Sequence, residues 1–206
     1  MMEKYNLMLA CFGIDNKIRR IGVKSRMQIY YVTGNHEKFK ETKLIIPEVE
    51  QLELDLPEIQ ELNSIKIIEA KIIEAKKQGL SGFFVDDASL VLEAMNGLPG
   101  PLIKWFMKTI GNEGLYQIAK SFNNFKATAK LVIGYFDKEG NTHFFEGQVE
   151  GKILEPRGDT RFAWDRIFSP NGYEKTFAEM TIEEKNKISH RRIALEKLKA
   201  YLEIER

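Results

Sequence analysis

Residues 28–33, Gln-Ile-Tyr-Tyr-Val-Thr, form a β-branched and aromatic run that passes through Thr33-Gly34-Asn35 straight into a helix-forming stretch over 36–45, closed by Pro47. A strand, a tight loop and a helix in that order open an α/β domain. The alternation continues. Residues 51–56 read as a second strand that stops at Pro57, and Ser64 is placed to cap a helix over 65–78 that Gly79 closes. The doubled Lys-Ile-Ile-Glu-Ala at 66–70 and 71–75 is helical amphipathicity; a solenoid would need units of tens of residues. Residues 82–85 then read as a short apolar strand with Asp86 and Asp87 at its C-terminal end, where open α/β sheets place their chemistry.

Beyond a rigid loop at Gly97, Pro99, Gly100 and Pro101, residues 102–110 and 115–122 have helical patterns. Residues 127–136, 142–145 and 148–154 read as an antiparallel meander, with turns at 138–141 and near Gly147. An irregular stretch through Arg157-Gly158-Asp159, a turn at Pro170-Asn171-Gly172 and helix-forming text over 182–205 complete the chain. No linker interrupts 27–206, so the expectation is one α/β domain with two lobes.

Charge and composition narrow the function. With 206 residues and 43% apolar, the chain can bury a substantial core. A net charge of +1 lacks the basic excess that duplex nucleic acid demands. The single Cys11 excludes a disulfide framework and a cysteine-based zinc site. No apolar run approaches the roughly 18 residues of a membrane span, and the expected location is cytoplasmic. Residues 1–26 carry six basic residues and two acids, leaving a mildly acidic body. They have the wrong order for a secretory signal, and Glu3 and Asp15 weaken a transit-peptide reading. This leader is expected to be an appended tail outside the fold.

Three groups of residues can carry chemistry. Glu58, Asp86 and Asp87 end predicted strands, and such carboxylates suit Mg²⁺, which usually takes only one or two of them plus substrate phosphates. Any one alone also fits an ordinary turn acid. Thr33-Gly34-Asn35 leads into a helix whose first turn carries Lys38, so its backbone N–H groups can cradle an anion. Lys71, Lys104 and Lys185 fit a solvated surface as well as a ligand set. Phe162, Trp164 and Asp165, with His190 and Arg191 after Ser189, offer a base a stacking face and a donor fork; a core role and a helix cap are the plainer readings. Cradle, lysines and acids together point to a metal-bound polyphosphate.

These motifs resemble the inosine/xanthosine triphosphate pyrophosphatase family. Carrying the resemblance are Thr33-Gly34-Asn35 with Lys38, the run from Leu54 through Pro57-Glu58 to Gln60, Asp86-Asp87, Gly97-Leu98-Pro99-Gly100-Pro101 with Lys104-Trp105-Phe106, Phe162-Ala163-Trp164-Asp165, and Thr176-Phe177-Ala178-Glu179-Met180 through Lys185 to Ser189-His190-Arg191. The likeness covers roughly 27–203. It implies a mixed twisted sheet with flanking helices, two lobes around a substrate cleft, a homodimer, and Mg²⁺-dependent cleavage of a triphosphate between its α and β phosphates. By the same resemblance Thr33, Gly34, Asn35, Lys38, Lys71 and Lys104 hold phosphates, and Glu58 and Asp87 hold the metal. Asp87 also orients or deprotonates the attacking water. Phe162 stacks on the base, with Ala163, Trp164, Asp165, Lys185, His190 and Arg191 around it. This sequence departs from the family pattern at Asp86 (usually Glu), Ala88 (Ser/Thr), Ala163 (Gly) and Arg166 (Pro), changes that bear on rate and base preference. Cleavage of a wider set of triphosphates, or nucleotide binding without hydrolysis, are the competing readings.

Overall fold

The computed structural model describes residues 28–54, 56–159 and 164–204; the leader expected at 1–26, together with Phe162 and Ala163, lies outside the described residues. In chain order the elements are β1 (Ile29–Val32), α1 (His36–Ile45), β2 (Val49–Leu52), α2 (Ser64–Lys77), β3 (Phe83–Leu92), β4 (Pro99–Gly100), α3 (Ile103–Thr109), α4 (Gly111–Ser121), β5 (Lys126–Phe136), β6 (Thr142–Ile153), β7 (Phe168–Pro170), α5 (Ile182–Ile188) and α6 (His190–Ile204). The strands form one mixed sheet in the order β2-β1-β3-β5-β6-β7, with β4 paired to β3. β1 is parallel to β2 and β3, and the remaining pairs are antiparallel.

Side-chain alternation along the strands sends successive residues to opposite faces. One face carries Tyr31, Phe84, Leu131 and Ile133 against Ala194, Leu195 and Leu198 of α6. The other carries Val85, Val132 and Phe136 against Ile68, Ile72 and Ala75 of α2. The far ends of β3, β5 and β6 extend beyond both helices and bury Leu90, Leu92, Ala129 and Ile153 against α3, α4 and the segment around Trp164 and Phe168. Two lobes therefore share the long strands, as expected for an α/β chain of this pattern.

Several boundaries differ from the sequence expectation. β3 runs ten residues, so Asp86 and Asp87 lie in mid-strand, paired with Ile133 and Val132 of β5, and not at a strand end. The expectation followed hydrophobicity, and the strand continues past its apolar run because β5 supplies the backbone partners. β2 is shorter and earlier than 51–56, because β1 ends at Val32 and its register partner is Leu52. Asn63, not Ser64, caps α2, accepting from the Ile65 amide at 2.9 Å. The break expected near Gly147 is absent: β6 is continuous, and Gly147 faces α6. The last helical stretch is two helices, since Ser189 is extended and caps the second by accepting from the Arg192 amide at 3.1 Å.

Candidate active site

Since β1 stops at Val32 while β3 continues, the side of β3 next to β1 opens into a slot at Asp86 and Asp87. A cavity of about 1030 Å³ occupies it. Thr33, Gly34, Asn35, Lys38, Glu58, Lys71, Asp87, Lys104, Trp164, Asp165, Lys185, His190 and Arg191 all line this one cavity. Every described residue of the candidate set is thus brought together, from widely separated stretches of chain.

The loop after β1 is built by its own side chains. Thr33 Oγ1 accepts from the Asn35 amide at 3.1 Å, and Asn35 Oδ1 accepts from the Lys38 amide at 3.0 Å, capping α1. Two of the N–H groups proposed for an anion cradle are therefore satisfied internally. Thr33, Gly34 and Asn35 still border the cavity, and the Lys38 side chain reaches across to Asp86.

Adjacent residues of β3 project to opposite faces, so the two aspartates meet different surroundings. Asp86 faces α1 and α6. Its Oδ1 accepts from Lys38 Nζ at 2.8 Å and its Oδ2 from Arg191 Nη1 at 2.5 Å. These cations overcome the cost of burial and hold its carboxyl far below the usual carboxylate range. Asp87 faces α2, where Ser64 reaches its carboxylate, yet its Oδ2 is buried without a hydrogen-bond partner. Burial pushes the Asp87 carboxyl up, with Ser64, Lys71 and Lys38 pulling it back.

Lys71 donates to the Asp86 main-chain carbonyl at 2.9 Å and stands 3.3 Å from Glu58 Oε1. Lys104, on α3 of the far lobe, donates to Glu58 Oε2 at 2.6 Å, so Glu58 bridges the two walls of the cavity. Burial raises the Glu58 carboxyl and these two ammonium groups outweigh it, leaving a net downward shift.

From Arg191 onward the residues form a chain of alternating charge. Arg191 Nε donates to Glu41 Oε2 at 2.9 Å, and Lys185 lies 2.8 Å from Glu41 Oε1 and 2.5 Å from Asp165 Oδ2. Glu41 is 2% exposed and was missed in sequence. One turn after Lys38 on the same face of α1, it was findable by helical spacing. Ser64 was missed because it was assigned to the helix cap. His190 lies between the rings of Trp164 and Phe177, with centroids at 5.3 and 6.1 Å, and burial holds its pKa well below the ordinary value.

The donor set fits a hard divalent cation. Asp87 offers a buried carboxylate oxygen with no other use, and Glu58 lines the same cavity. Among the described residues no group of three or more acids, histidines or cysteines could hold a metal unaided. An ion that keeps waters and takes its remaining oxygens from substrate phosphates needs only one or two carboxylates from the protein.

The sequence profile of the Ham1 family matches residues 29–201. The chain is 41% identical over 183 residues to the inosine triphosphate pyrophosphatase of Schizosaccharomyces pombe, covering 86% of this chain and 96% of that protein. It is 41% identical over 182 residues to the inosine triphosphate pyrophosphatase of Yarrowia lipolytica, covering 85% and 96%. Among solved structures it is similar to the Ham1 protein of Staphylococcus aureus, with a TM-score of 0.71 at 25% identity over 86% of this chain and 100% of that one. It is also similar to a dITP/XTP pyrophosphatase from Mycobacterium abscessus, with a TM-score of 0.61 at 28% identity over 84% and 98%.

Proposed function

The chain belongs to the Ham1 family, and from that premise we propose that it hydrolyses non-standard purine nucleoside triphosphates, ITP, dITP and XTP, to the monophosphate and pyrophosphate. One observation carries the reading to this molecule: Lys38, Lys71 and Lys104 line the same cavity as Trp164, His190 and the buried Arg191.

Lys38, Lys71 and Lys104, with Thr33, Gly34 and Asn35, receive the triphosphate. In the free protein Lys71 and Lys104 flank Glu58, so arriving phosphates take its place between them and release Glu58, while Lys38 keeps its bond to Asp86. Glu58 and Asp87 would hold Mg²⁺, which supplies charge neutralisation on the phosphates and on the leaving pyrophosphate. Asp87 Oδ2, buried and without a partner, accepts the proton of the attacking water. The water oxygen bonds to phosphorus as the α–β bridging P–O bond breaks, and the electron pair leaves with pyrophosphate. Positioning and electrostatics do most of the work.

The base lies toward Trp164, His190 and Arg191, with Phe162, Ala163, Asp165 and Lys185 assigned to the same end by family resemblance. A guanidinium carries five N–H donors, of which the bonds to Glu41 and Asp86 take two. Hypoxanthine and xanthine present a 6-keto acceptor to this fork, whereas adenine presents a 6-amino donor that meets a cation badly. We assign a homodimer and a cytoplasmic location on the same family grounds; among the described residues no helix is long and apolar enough to cross a membrane.

Incubation with ITP and Mg²⁺ followed by chromatography should give inosine monophosphate and pyrophosphate, with loss of turnover on chelation. Release of inosine diphosphate and phosphate would contradict the cleavage site. Comparable kcat/KM for ITP and ATP would remove the keto readout.

A further inference from the structure

Three cations assigned to opposite ends of the substrate meet at one residue. Asp86 accepts from Lys38 through Oδ1 at 2.8 Å, from Arg191 through Oδ2 at 2.5 Å and from Lys71 through its main-chain carbonyl at 2.9 Å. Lys38 comes from α1, Lys71 from α2 and Arg191 from α6, so this contact is where three helices are tied to the sheet. Asp86 is 5% exposed, and both carboxylate oxygens are taken; Asp87, beside it, keeps Oδ2 without a partner. The two aspartates are therefore chemically divided, one open to the reaction and one saturated by protein cations. The backbone of Asp86 is clamped in the β3–β5 ladder opposite Ile133, so the carboxylate cannot follow one partner away from the other.

We propose that Asp86 is a positioning residue that couples phosphate binding to base recognition. Its carboxylate sets the places of a phosphate-end lysine and the base-end arginine at once, so the triphosphate and the purine are each seated correctly only when both cations are. The inference rests on the proposed function. It adds that a residue touching neither metal nor substrate sets affinity at one end and selectivity at the other.

The test uses the full chain and compares wild type, Asp86→Asn and Asp86→Glu in steady-state hydrolysis of ITP and ATP, with inorganic pyrophosphate as inhibitor to probe the phosphate end alone. Asp86→Asn should weaken pyrophosphate inhibition tenfold or more and, together with it, lower the ITP-to-ATP ratio of kcat/KM tenfold or more. Asp86→Glu, which keeps the charge, should return both to within threefold of wild type. A change in one readout without the other, or a Glu variant as impaired as Asn, would overturn the coupling.

A cycle that leaves Asp86 in place covers the case in which Asp86→Asn does not fold. Lys38→Met and Arg191→Met, singly and together, should give ITP kcat/KM losses whose combination departs fivefold or more from the product of the single losses. Multiplicative losses within twofold would overturn the coupling. If wild type releases no pyrophosphate from ITP, the functional reading itself fails; if it is active and the two ends behave independently, only this inference does.

Discussion

Gly147 on β6 lies directly against the carbonyl of His190, the first residue of α6. A methyl group at Gly147 would fall 2.0 Å from that oxygen and 2.7 Å from the Ala194 nitrogen. On the opposite face, a methyl at Gly134 of β5 would fall 2.1 Å from Ile68 Cγ2 of α2. Two of the helices that deliver cations to the cavity, α6 and α2, thus rest on bare strand backbone. Their close approach sets the height at which Arg191 and Lys71 reach Asp86.

Gly147→Ala should therefore push the first turn of α6 off the sheet. The obstacle is helix backbone, which cannot rotate aside, and overpacking of this kind costs about 1–3 kcal/mol. Calorimetry should show a Tm lower by roughly 2–10 °C for a domain of this size, with a fall in ITP turnover at temperatures where the variant is folded. A variant as stable and active as wild type would show that α6 is not seated by this contact.

Asp87→Asn removes a proton acceptor and a metal donor without changing shape. Turnover of ITP should drop by about 10²–10⁴-fold, the range for loss of a positioned general base, while calorimetric titration still detects ITP binding through the lysines. Turnover near wild type would place the chemistry elsewhere.

Arg191→Ala should lower kcat/KM for ITP more than for ATP, because only the former offers its 6-position oxygen to the fork. It also strips a buried partner from Asp86 and Glu41, and breaking such pairs costs on the order of 3–5 kcal/mol. Equal losses for both nucleotides, measured at a temperature where the variant is folded, would mean that the arginine serves only as a structural counter-ion.

His190 should make stability depend on pH. The folded state keeps it neutral, whereas the unfolded chain takes up a proton near its ordinary pKa of 6.5. As pH falls from about 7 to 5 the unfolded state gains that proton and stability drops, by up to about 1.4 kcal/mol per pH unit. Asp165 acts in the other direction. Burial, partly offset by Lys185, pushes its carboxyl up to about 6, so the folded state binds its proton first and gains stability as pH falls through that value. The contributions separate by difference: the Tm advantage of wild type over His190→Gln should shrink by several degrees between about pH 7 and 5. An advantage that stays constant would show that His190 takes up its proton equally in the folded and unfolded states.

Local chemistry was legible where one short segment decides it. The strand-loop-helix at Thr33-Gly34-Asn35 forms because Asn35 caps its own helix, a bond spanning three residues. The helical text of α2 and the hairpin at 138–141 likewise carry their signals within a few positions. Gly147 was misread for the converse reason. A glycine in a strand pattern signals either a turn or a close approach, and the approaching helix lies more than forty residues later.

Fold class and the inventory of chemical groups thus followed from residue order, since backbone propensity, turn chemistry and the identity of ionisable groups are properties of short stretches. The division of labour between neighbouring aspartates, and the pairing of Glu41 with Arg191 and Lys185, was decided by packing. Alternation on β3 turns Asp86 toward α1 and α6 and Asp87 toward α2, and only the docking of those helices on the sheet determines which carboxylate is neutralised and which is left with an oxygen to spare.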